Sequence, residues 1–529
     1  MREQMPSALR RFLTHSEPLG PSDHDATRMD DDRISEYLLD EGVATFRQAQ
    51  TKSYLILLGR KGAGKSALMA DIRLHKLKKG PIRVTSEAIP PKGFTYVLPL
   101  TSWQHFHSIV REVFEYARSR NEYLDLIPPE YVSELWWEVL WHQVILYFYD
   151  FSAFEEAEDV LSPVRSYVNG SPPRSVSSRE DASKLAGRLF SEAREAVLTY
   201  LEERESDFCF LFDSMENFPV RNLTFEHMLS GMFSALSRLN AVSERVHVTF
   251  CLPEEVEGFL NRTAVAGQSP NLLKDFSSSF RIGWKPIDLL RVAAHRFRCA
   301  MQLHDSELYE ELSEHDLSRR AGVRAVFERI LPRTVHNDSG QDENTLAYIL
   351  RHTQMLPRHI LHVFNTILAR NFENSGGFRR VSEDAIITGV SHTQRFIYEQ
   401  VFHLYKQMYP RLIRACHEVL PDLTRVFTYA EMDRVNGRFK QRIEDDVESV
   451  WHVLYDIGVI GRVVTAEEQG TTAAYCYGQF HFNSDMAFAR ATGSEYCFHP
   501  VFCQAFGVLP RQGDPRAVYP SKLDLRDLI

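Results

Sequence analysis

Cysteines are scarce in this chain and are not grouped as metal ligands. Its 529 residues include seven cysteines, and no two of them form a Cys-x-x-Cys pair. Several lie inside apolar stretches, so we expect buried free thiols in a reducing compartment. The spacing argues against a zinc site and against a disulfide framework.

Long apolar runs are also missing. No stretch approaches the roughly 20 apolar residues that a membrane-spanning helix needs, and the sequence does not begin with the apolar segment of a secretory signal. We therefore predict a cytoplasmic protein with no membrane segment. The hydrophobic fraction of 44% and the charged fraction of 25% are those of an ordinary globular protein.

An excess of basic residues is absent too. The formal net charge is −10, so this is not a protein that coats nucleic acid over its whole surface, and any such contact must be local. Three short basic clusters occur, within 291–298, 319–324 and 434–442. We expect each to be a solvated helix face or a subunit contact rather than a nucleic-acid site.

The chain does contain one phosphate-binding motif of the form G-x-x-x-x-G-K-[ST]. It reads Gly59-Arg60-Lys61-Gly62-Ala63-Gly64-Lys65-Ser66 and is followed by Ala67. An apolar run over 54–58 predicts a strand before it, and residues 67–72 predict a helix after it. Glycines allow the backbone to approach a phosphate chain, and backbone N–H groups at the helix start point at the anion.

From this motif we predict that residues 59–67 bind ATP. Lys65 would reach the β- and γ-phosphates, and Ser66 would ligate Mg²⁺.

A second strand, predicted over 208–212, ends in an acid. Asp213 follows four apolar residues, which is the form of a Walker B strand, and we predict that it holds Mg²⁺. Glu216 lies three residues further along and is the candidate for orienting the attacking water. The alternative is that Glu216 only caps the next segment. Asp207 precedes the strand, so we discount it.

Further strands are predicted over 95–100 and 246–252, with helical sequence between the strands. The chain is therefore predicted to contain an α/β P-loop NTPase core, in which a parallel sheet carries helices on both faces. In many such ATPases the strand after the Walker B strand carries a polar sensor of the γ-phosphate. Here it ends without Asn or Arg, and Thr249 is a weak candidate for that sensor.

Together these segments resemble the AAA+/STAND class of P-loop ATPases, and above all bacterial ATPases of KAP or origin-recognition-like type, as found in anti-phage defence systems. Four further segments carry the resemblance: 280–284 with 288–296, 356–361, 458–461 and 499–502. The resemblance implies that Arg358 acts as a sensor 2 arginine in a helical lid. It also implies a homo-oligomer in which Arg262 or Arg281 reaches a neighbour's nucleotide.

We predict four parts: a flexible N-terminal arm over 1–33, the ATPase core over 34–284, a helical lid over 285–376 and a C-terminal helical/winged-helix domain over 377–529. A turn-rich surface insertion is predicted within the core at 162–181. In the last part, a helix over 444–454 and a hairpin formed by 459–464 and 474–482 indicate the winged helix. We expect this module to serve docking or oligomer contacts, with DNA contact as the alternative.

The predicted function is an ATP-binding and ATP-hydrolysing switch that assembles or controls a partner effector encoded nearby. The resemblance alone implies that this switch acts in bacterial anti-phage defence. One alternative is a DNA-binding initiator or loader that uses its winged helix. The other is a nucleotide-binding scaffold with little turnover.

Overall fold

A computed structural model describes most of the chain in two compact units. The described residues are 13–22, 54–69, 72, 89–101, 108–109, 111, 115, 118, 129–170, 187–213, 223–254, 279–408, 410–443, 447–464, 475–483, 488, 490–514 and 516–520. The unit that we call the P-loop unit holds the described residues from 54 to 283. The second unit holds residues 13–22 and those from 284 onward.

The P-loop unit is built on a five-stranded sheet in which every neighbouring pair is parallel. Its strands are β1 (Tyr54–Gly59), β2 (Thr95–Thr101), β3 (Asp207–Asp213), β4 (Val246–Pro253) and β5 (Ser279–Arg281). Their order across the sheet is β2-β3-β4-β1-β5. Nearly continuous apolar runs such as that of β3 are typical of parallel strands covered on both faces. The predicted parallel α/β sheet is thus confirmed.

Described helices lie in the connections from β1 to β2, from β2 to β3 and from β3 to β4, as parallel pairing requires. The described helices are α1 over 65–69, α2 (Pro129–Tyr149), α3 (Glu155–Gly170), α4 (Arg188–Glu203) and α5 (Leu223–Val242). Helix α2 packs on α5, and α3 packs on α4. The tryptophans Trp136 and Trp141 of α2 are completely buried, so the aromatic stripe of this helix is core packing.

Part of the insertion predicted at 162–181 belongs to a helix instead. Residues 162–170 form the second half of α3, although they include a proline. Val164 and Tyr167 of this stretch are completely buried, and their burial on one face of the helix offsets the backbone hydrogen bond that the proline removes. The remaining residues of the predicted insertion, 171–181, lie outside the described ranges.

The second unit begins with helices and a two-stranded ribbon. Its first helices are α6 (Pro286–His304), α7 (Ser306–Ser313), α8 (Arg320–Glu328), α9 (Thr345–Arg351), α10 (Pro357–Ser375) and α11 (Glu383–Met408). The antiparallel ribbon consists of β6 (Thr334–His336) and β7 (Asp342–Asn344). Gly376, in the left-handed conformation with φ 72°, ends α10.

The same unit continues with a second sheet and four helices. The helices are α12 (Pro410–Val419), α13 (Tyr429–Arg442), α14 (Val447–Ile457) and α15 (Pro500–Phe506), and the strands are β8 (Val426–Thr428), β9 (Ile460–Val464), β10 (Tyr475–Gln479), β11 (Glu495–Phe498) and β12 (Ala517–Pro520). The strand order is β12-β10-β9-β11-β8.

Segments assigned by sequence to a lid and to a C-terminal domain therefore lie in one compact unit. Helices α10 and α11 pack closely where Gly389 faces Ile367. A Cβ atom at Gly389 would lie 2.5 Å from Cγ1 of Ile367, so the glycine is what permits this approach.

The predicted helix and hairpin near the C-terminus are both present. Helix α14 ends at Ile457 and is followed by Gly458, whose φ of 80° suits a C-cap. Strand β9 pairs antiparallel with β10. The acids at 444–446 lie outside the described residues. Strand β11 pairs between β8 and β9, so the hairpin belongs to a larger sheet than the sequence indicated.

Residues 13–22, which we call the N-terminal strap, pack on helices of the second unit. Leu19 is 1% exposed, and its backbone N–H donates to Oδ1 of Asn365 at 2.7 Å. Nδ2 of Asn365 donates to the carbonyl of Gly20 at 2.8 Å, and the ring of His15 stacks on Phe372. These residues were predicted within a flexible arm, and the buried hydrogen bonds show that they are not loose.

Candidate functional site

The phosphate-binding motif forms a tight loop at the carboxyl end of β1, an interior strand of the sheet. Gly62 and Gly64 have φ values of 88° and 89°, a region that residues with a Cβ atom adopt only at a cost in strain. Helix α1 begins at Lys65. The sequence thus gives the predicted order of strand, glycine loop and helix, with the helix start directed at the loop.

Lys65 is buried inside this loop, with 5% of its surface exposed. Its Nζ donates to the carbonyls of Gly59 at 2.9 Å and Arg60 at 3.2 Å. These contacts place an ammonium group beside the N-terminus of α1, where the helix dipole also favours an anion. The loop therefore presents positive charge and backbone donors to the same point.

A side chain at Gly59 would crowd the turn. A Cβ atom there would lie 3.1 Å from Cβ of Ala63, 3.4 Å from Cγ of Lys65 and 3.5 Å from Cβ of Ile282. This closeness keeps the turn narrow enough for backbone N–H groups to converge on one anion. The cradle fits a phosphate chain.

Asp213 ends β3 at the same edge of the sheet. Phe212 of β3 pairs with Phe250 of β4, which pairs with Ile56 of β1. Asp213 therefore lies one residue further along its strand than this row of paired residues. Two strand spacings, or about 10 Å, separate β3 from β1. The carboxyl edge of a parallel sheet is where ligands of α/β proteins bind. Of Asp213, the structure describes the backbone position only.

Asp207 and Thr249 lie away from the loop. Asp207 begins β3 at the opposite edge and pairs with Arg245 at 3.3 Å, which agrees with its being discounted. Thr249 is buried at the level of Leu55, four residues before the loop begins. The structure does not bring this sensor candidate to the site.

The other predicted residues divide between the described and undescribed parts of the chain. Glu216 and Arg262 lie outside the described residues. Arg358 is the second residue of α10 in the second unit, and its Nη1 donates to Oε1 of Gln400 at 3.4 Å. Arg281 ends β5 beside the loop strand.

One charged pair at this edge was missed by sequence reasoning. Glu254 directly follows β4, and its Oε1 lies 3.3 Å from Nη1 of Arg281. An acid after an apolar strand is the same signal that identified Asp213. The γ-phosphate sensor expected at this strand end is Asn or Arg, so the acid was not predicted as a site residue.

Within the described ranges, no group of three His, Cys, Asp or Glu side chains is arranged to hold a metal ion. Mg²⁺ at a phosphate loop needs fewer protein ligands, because it keeps several waters and binds phosphate oxygens. The Ser66 hydroxyl, in the first turn of α1, is a suitable ligand type. All seven cysteines are buried free thiols, as predicted.

The basic clusters are largely satisfied within the protein. Nε of Arg324 lies 2.6 Å from Oε1 of Glu328, and Nε of Arg442 lies 2.8 Å from Oε2 of Glu418. Arg296 donates to the carbonyl of Leu19 in the N-terminal strap, and burial lowers its pKa to about 10. These contacts use part of the positive charge that a nucleic-acid site would need, and the assignment of the clusters to solvated helix faces or subunit contacts stays a prediction. Across the described ranges, no helix has the length and apolar character needed to cross a bilayer.

No family model matches this sequence, and no curated protein is similar to it. Two solved structures of the Aeropyrum pernix ORC2 protein resemble the chain loosely. The structure of its ADPNP-ADP complexes is 11% identical, with a TM-score of 0.35 over 83% of this chain and 89% of that chain. The ADP form is 9% identical, with a TM-score of 0.30 over 91% of each chain. At these values the likeness carries no functional argument.

Proposed function

We propose that this protein binds ATP with Mg²⁺ at residues 59–67 and hydrolyses it, as a switch of the AAA+/STAND-like class. The observation that carries the proposal is the buried ammonium of Lys65 in a glycine cradle at the carboxyl end of an interior parallel strand. A buried positive charge facing a helix N-terminus is favourable only with an anion or carbonyl partners.

In this proposal each residue has a defined task. The loop N–H groups and Lys65 bind the phosphates, and Ser66 and Asp213 hold Mg²⁺, which neutralises charge on the phosphate oxygens. Glu216 orients the attacking water. The resemblance to AAA+/STAND ATPases implies that Arg358 senses the bound nucleotide, and its planar guanidinium is suited to two hydrogen bonds with a phosphate.

A loss-of-binding experiment tests the proposal. Lys65→Ala should lower ATP affinity at least about tenfold, because charge-assisted contacts to phosphate are lost. Lys92→Ala, which removes an exposed lysine from the turn before β2 and outside the loop, is the matched control and should bind ATP like wild type. Equal affinities of wild type and Lys65→Ala in isothermal titration would exclude this site.

Turnover is tested separately. Glu216→Gln should keep ATP affinity and lower the hydrolysis rate about 10²–10⁴-fold, the usual contribution of a positioned acid or base. Equal phosphate release by wild type and Glu216→Gln would instead favour the scaffold with little turnover.

We further propose that ATP drives assembly of a homo-oligomer that engages an effector protein. The resemblance to defence ATPases supports both the assembly and a role in anti-phage defence. Light scattering with and without ATP tests this. A monomer under both conditions would contradict it.

A DNA-binding initiator or loader is the second candidate. The order of α12, β8, α13, α14 and the β9–β10 hairpin, namely helix, strand, two helices and hairpin, supports a winged helix. Arg434, Arg438 and Arg442 lie on α13, although Arg438 pairs with Asp422 and Arg442 pairs with Glu418. Salt-dependent DNA binding that survives Lys65→Ala would favour this candidate.

A further inference from the structure

A charged pair spans the end of the strand that carries the phosphate loop. Arg281 of β5 is in register with Leu58 of β1, and Pro253 of β4 is in register with Gly59. Strands β4 and β5 flank β1 on opposite sides, so the backbones of Glu254 and Arg281 are about 10 Å apart. Their side chains meet at 3.3 Å and therefore cross above the point where β1 becomes the loop.

The phosphate loop begins next to this pair. The N–H of Ile282 donates to the carbonyl of Leu58 at 2.8 Å, and Ile282 is the residue whose Cβ lies 3.5 Å from a Cβ placed on Gly59. Ile282, the residue that directly follows Arg281, therefore lines the phosphate loop.

The two partners differ in exposure. The side chain of Glu254 is 10% exposed, whereas that of Arg281 is 52% exposed. A half-exposed ion pair is weak because water screens it. A phosphate chain carries more negative charge than one carboxylate and matches the guanidinium fork in two hydrogen bonds. A phosphate chain therefore competes well for Arg281.

We propose that Glu254 and Arg281 form a charge latch, in which Glu254 holds Arg281 until the phosphate chain of a bound nucleoside triphosphate takes the guanidinium over. The latch rests on the nucleotide binding proposed above and adds regulation to it. Glu254 weakens nucleotide binding because it occupies the arginine, and Arg281 is a binding residue of the protein's own site.

A double-mutant cycle with the full chain tests the latch, with a fluorescent ATP analogue titrated by anisotropy at fixed salt. Glu254→Gln should tighten binding about tenfold, and Arg281→Gln should weaken it about tenfold. In the Arg281→Gln background, Glu254→Gln should have no further effect, because the carboxylate acts through the arginine.

Two other variants separate the latch from simpler causes. Glu244→Gln removes the same charge from an exposed position just before β4 and should leave affinity unchanged. Arg281→Lys keeps the positive charge and should fall between wild type and Arg281→Gln. Each variant is checked for a wild-type unfolding temperature.

The outcomes are distinct. If Glu254→Gln leaves affinity unchanged, or tightens it equally in both backgrounds, the latch is wrong while nucleotide binding stands. If wild type binds the analogue no better than Lys65→Ala, the proposed function fails and the latch fails with it.

Discussion

Glu138 is a carboxyl group buried in the aromatic face of α2. Its side chain is 8% exposed, and among the described residues its Oε2 has no hydrogen-bond partner. Burial, together with the neighbouring Glu134, raises the pKa of Glu138 to about 8 from its ordinary 4.5. The folded protein therefore keeps a proton that the unfolded chain has lost at neutral pH.

This proton makes stability depend on pH. Between the ordinary pKa and about 8 the Glu138 carboxyl binds one more proton in the folded state, so its contribution to the free energy of unfolding should fall by about 1.4 kcal/mol per pH unit as pH rises. Glu138→Gln should remove this slope, because an amide does not titrate. Denaturant unfolding at pH 6, 7 and 8, followed by tryptophan fluorescence, measures it.

The matched control is Glu130→Gln, at an exposed position in the first turn of the same helix. Glu130→Gln should retain the wild-type slope. A Glu138→Gln variant whose unfolding free energy falls with pH as steeply as that of wild type would contradict the assignment.

At this scale the sequence predicts residues that belong to a local motif. Lys65 was identified because its neighbours fix the loop, and the structure places it in that loop. The pairing of Glu254 with Arg281 could not be predicted, because it depends on β5 lying beside β1. These two strands are far apart in the sequence, although Arg281 is in register with Leu58. Strand order is a tertiary property.

Asn365 of α10 makes two buried hydrogen bonds to the backbone of the N-terminal strap. The amide side chain of Asn365 accepts from the backbone N–H of Leu19 and donates to the backbone carbonyl of Gly20. Asn365→Ala should lower the unfolding free energy by about 2–4 kcal/mol, since two buried backbone groups lose their partners. Hydrogen exchange at residues 13–22 should accelerate with it.

Asn374→Ala is the control, because Asn374 is exposed on the same helix. Its effect should stay within about 0.5 kcal/mol. Unchanged exchange at the strap in Asn365→Ala would mean that its other contacts, such as the one between Arg296 and the carbonyl of Leu19, hold it without Asn365.

Elements with a local signature were predicted well, and those held by distant partners were not. The helix–hairpin near the C-terminus follows from apolar patterning and a glycine cap. The strap has little periodicity, and its partners on α6 and α10 are hundreds of residues away. Helix α3 was missed in part because a proline and a serine resemble a turn when burial is unknown.

Across the second unit, one buried ionic network joins three separate elements. Glu343 of β7 receives Nε of Arg351 at 2.7 Å and the hydroxyl of Tyr519 at 2.5 Å. Nδ2 of Asn337 donates to the same carboxylate at 3.1 Å. The network ties the ribbon and α9 to β12, the last described strand, and it joins the segments assigned by sequence to different domains.

Breaking this network should destabilise the whole unit. Arg351→Leu leaves the Glu343 carboxylate buried without its cation and should cost about 3–5 kcal/mol. Tyr519→Phe removes one hydrogen bond and should cost about 1–2 kcal/mol. Unfolding temperatures of the purified variants measure both effects.

Arg395→Leu breaks an exposed pair with Glu399, where the arginine side chain is 84% exposed, and should cost less than about 1 kcal/mol. If Arg351→Leu costs no more than this control, the network does not hold the unit together. The sequence predicted neither the network nor the single unit, because patterning identifies helices and strands without identifying which of them share a core.

The N-terminal strap can bind its partners only late in translation. Leu19 leaves the ribosome 346 residues before the Asn365 side chain that it binds, and at about 5–20 residues per second this delay is tens of seconds. The whole P-loop unit is translated within that interval and can fold while the strap has no place to bind. Completion of the second unit is therefore a late, long-range closure, of the kind that slows folding and exposes apolar residues such as Leu13 and Leu19 to chaperones.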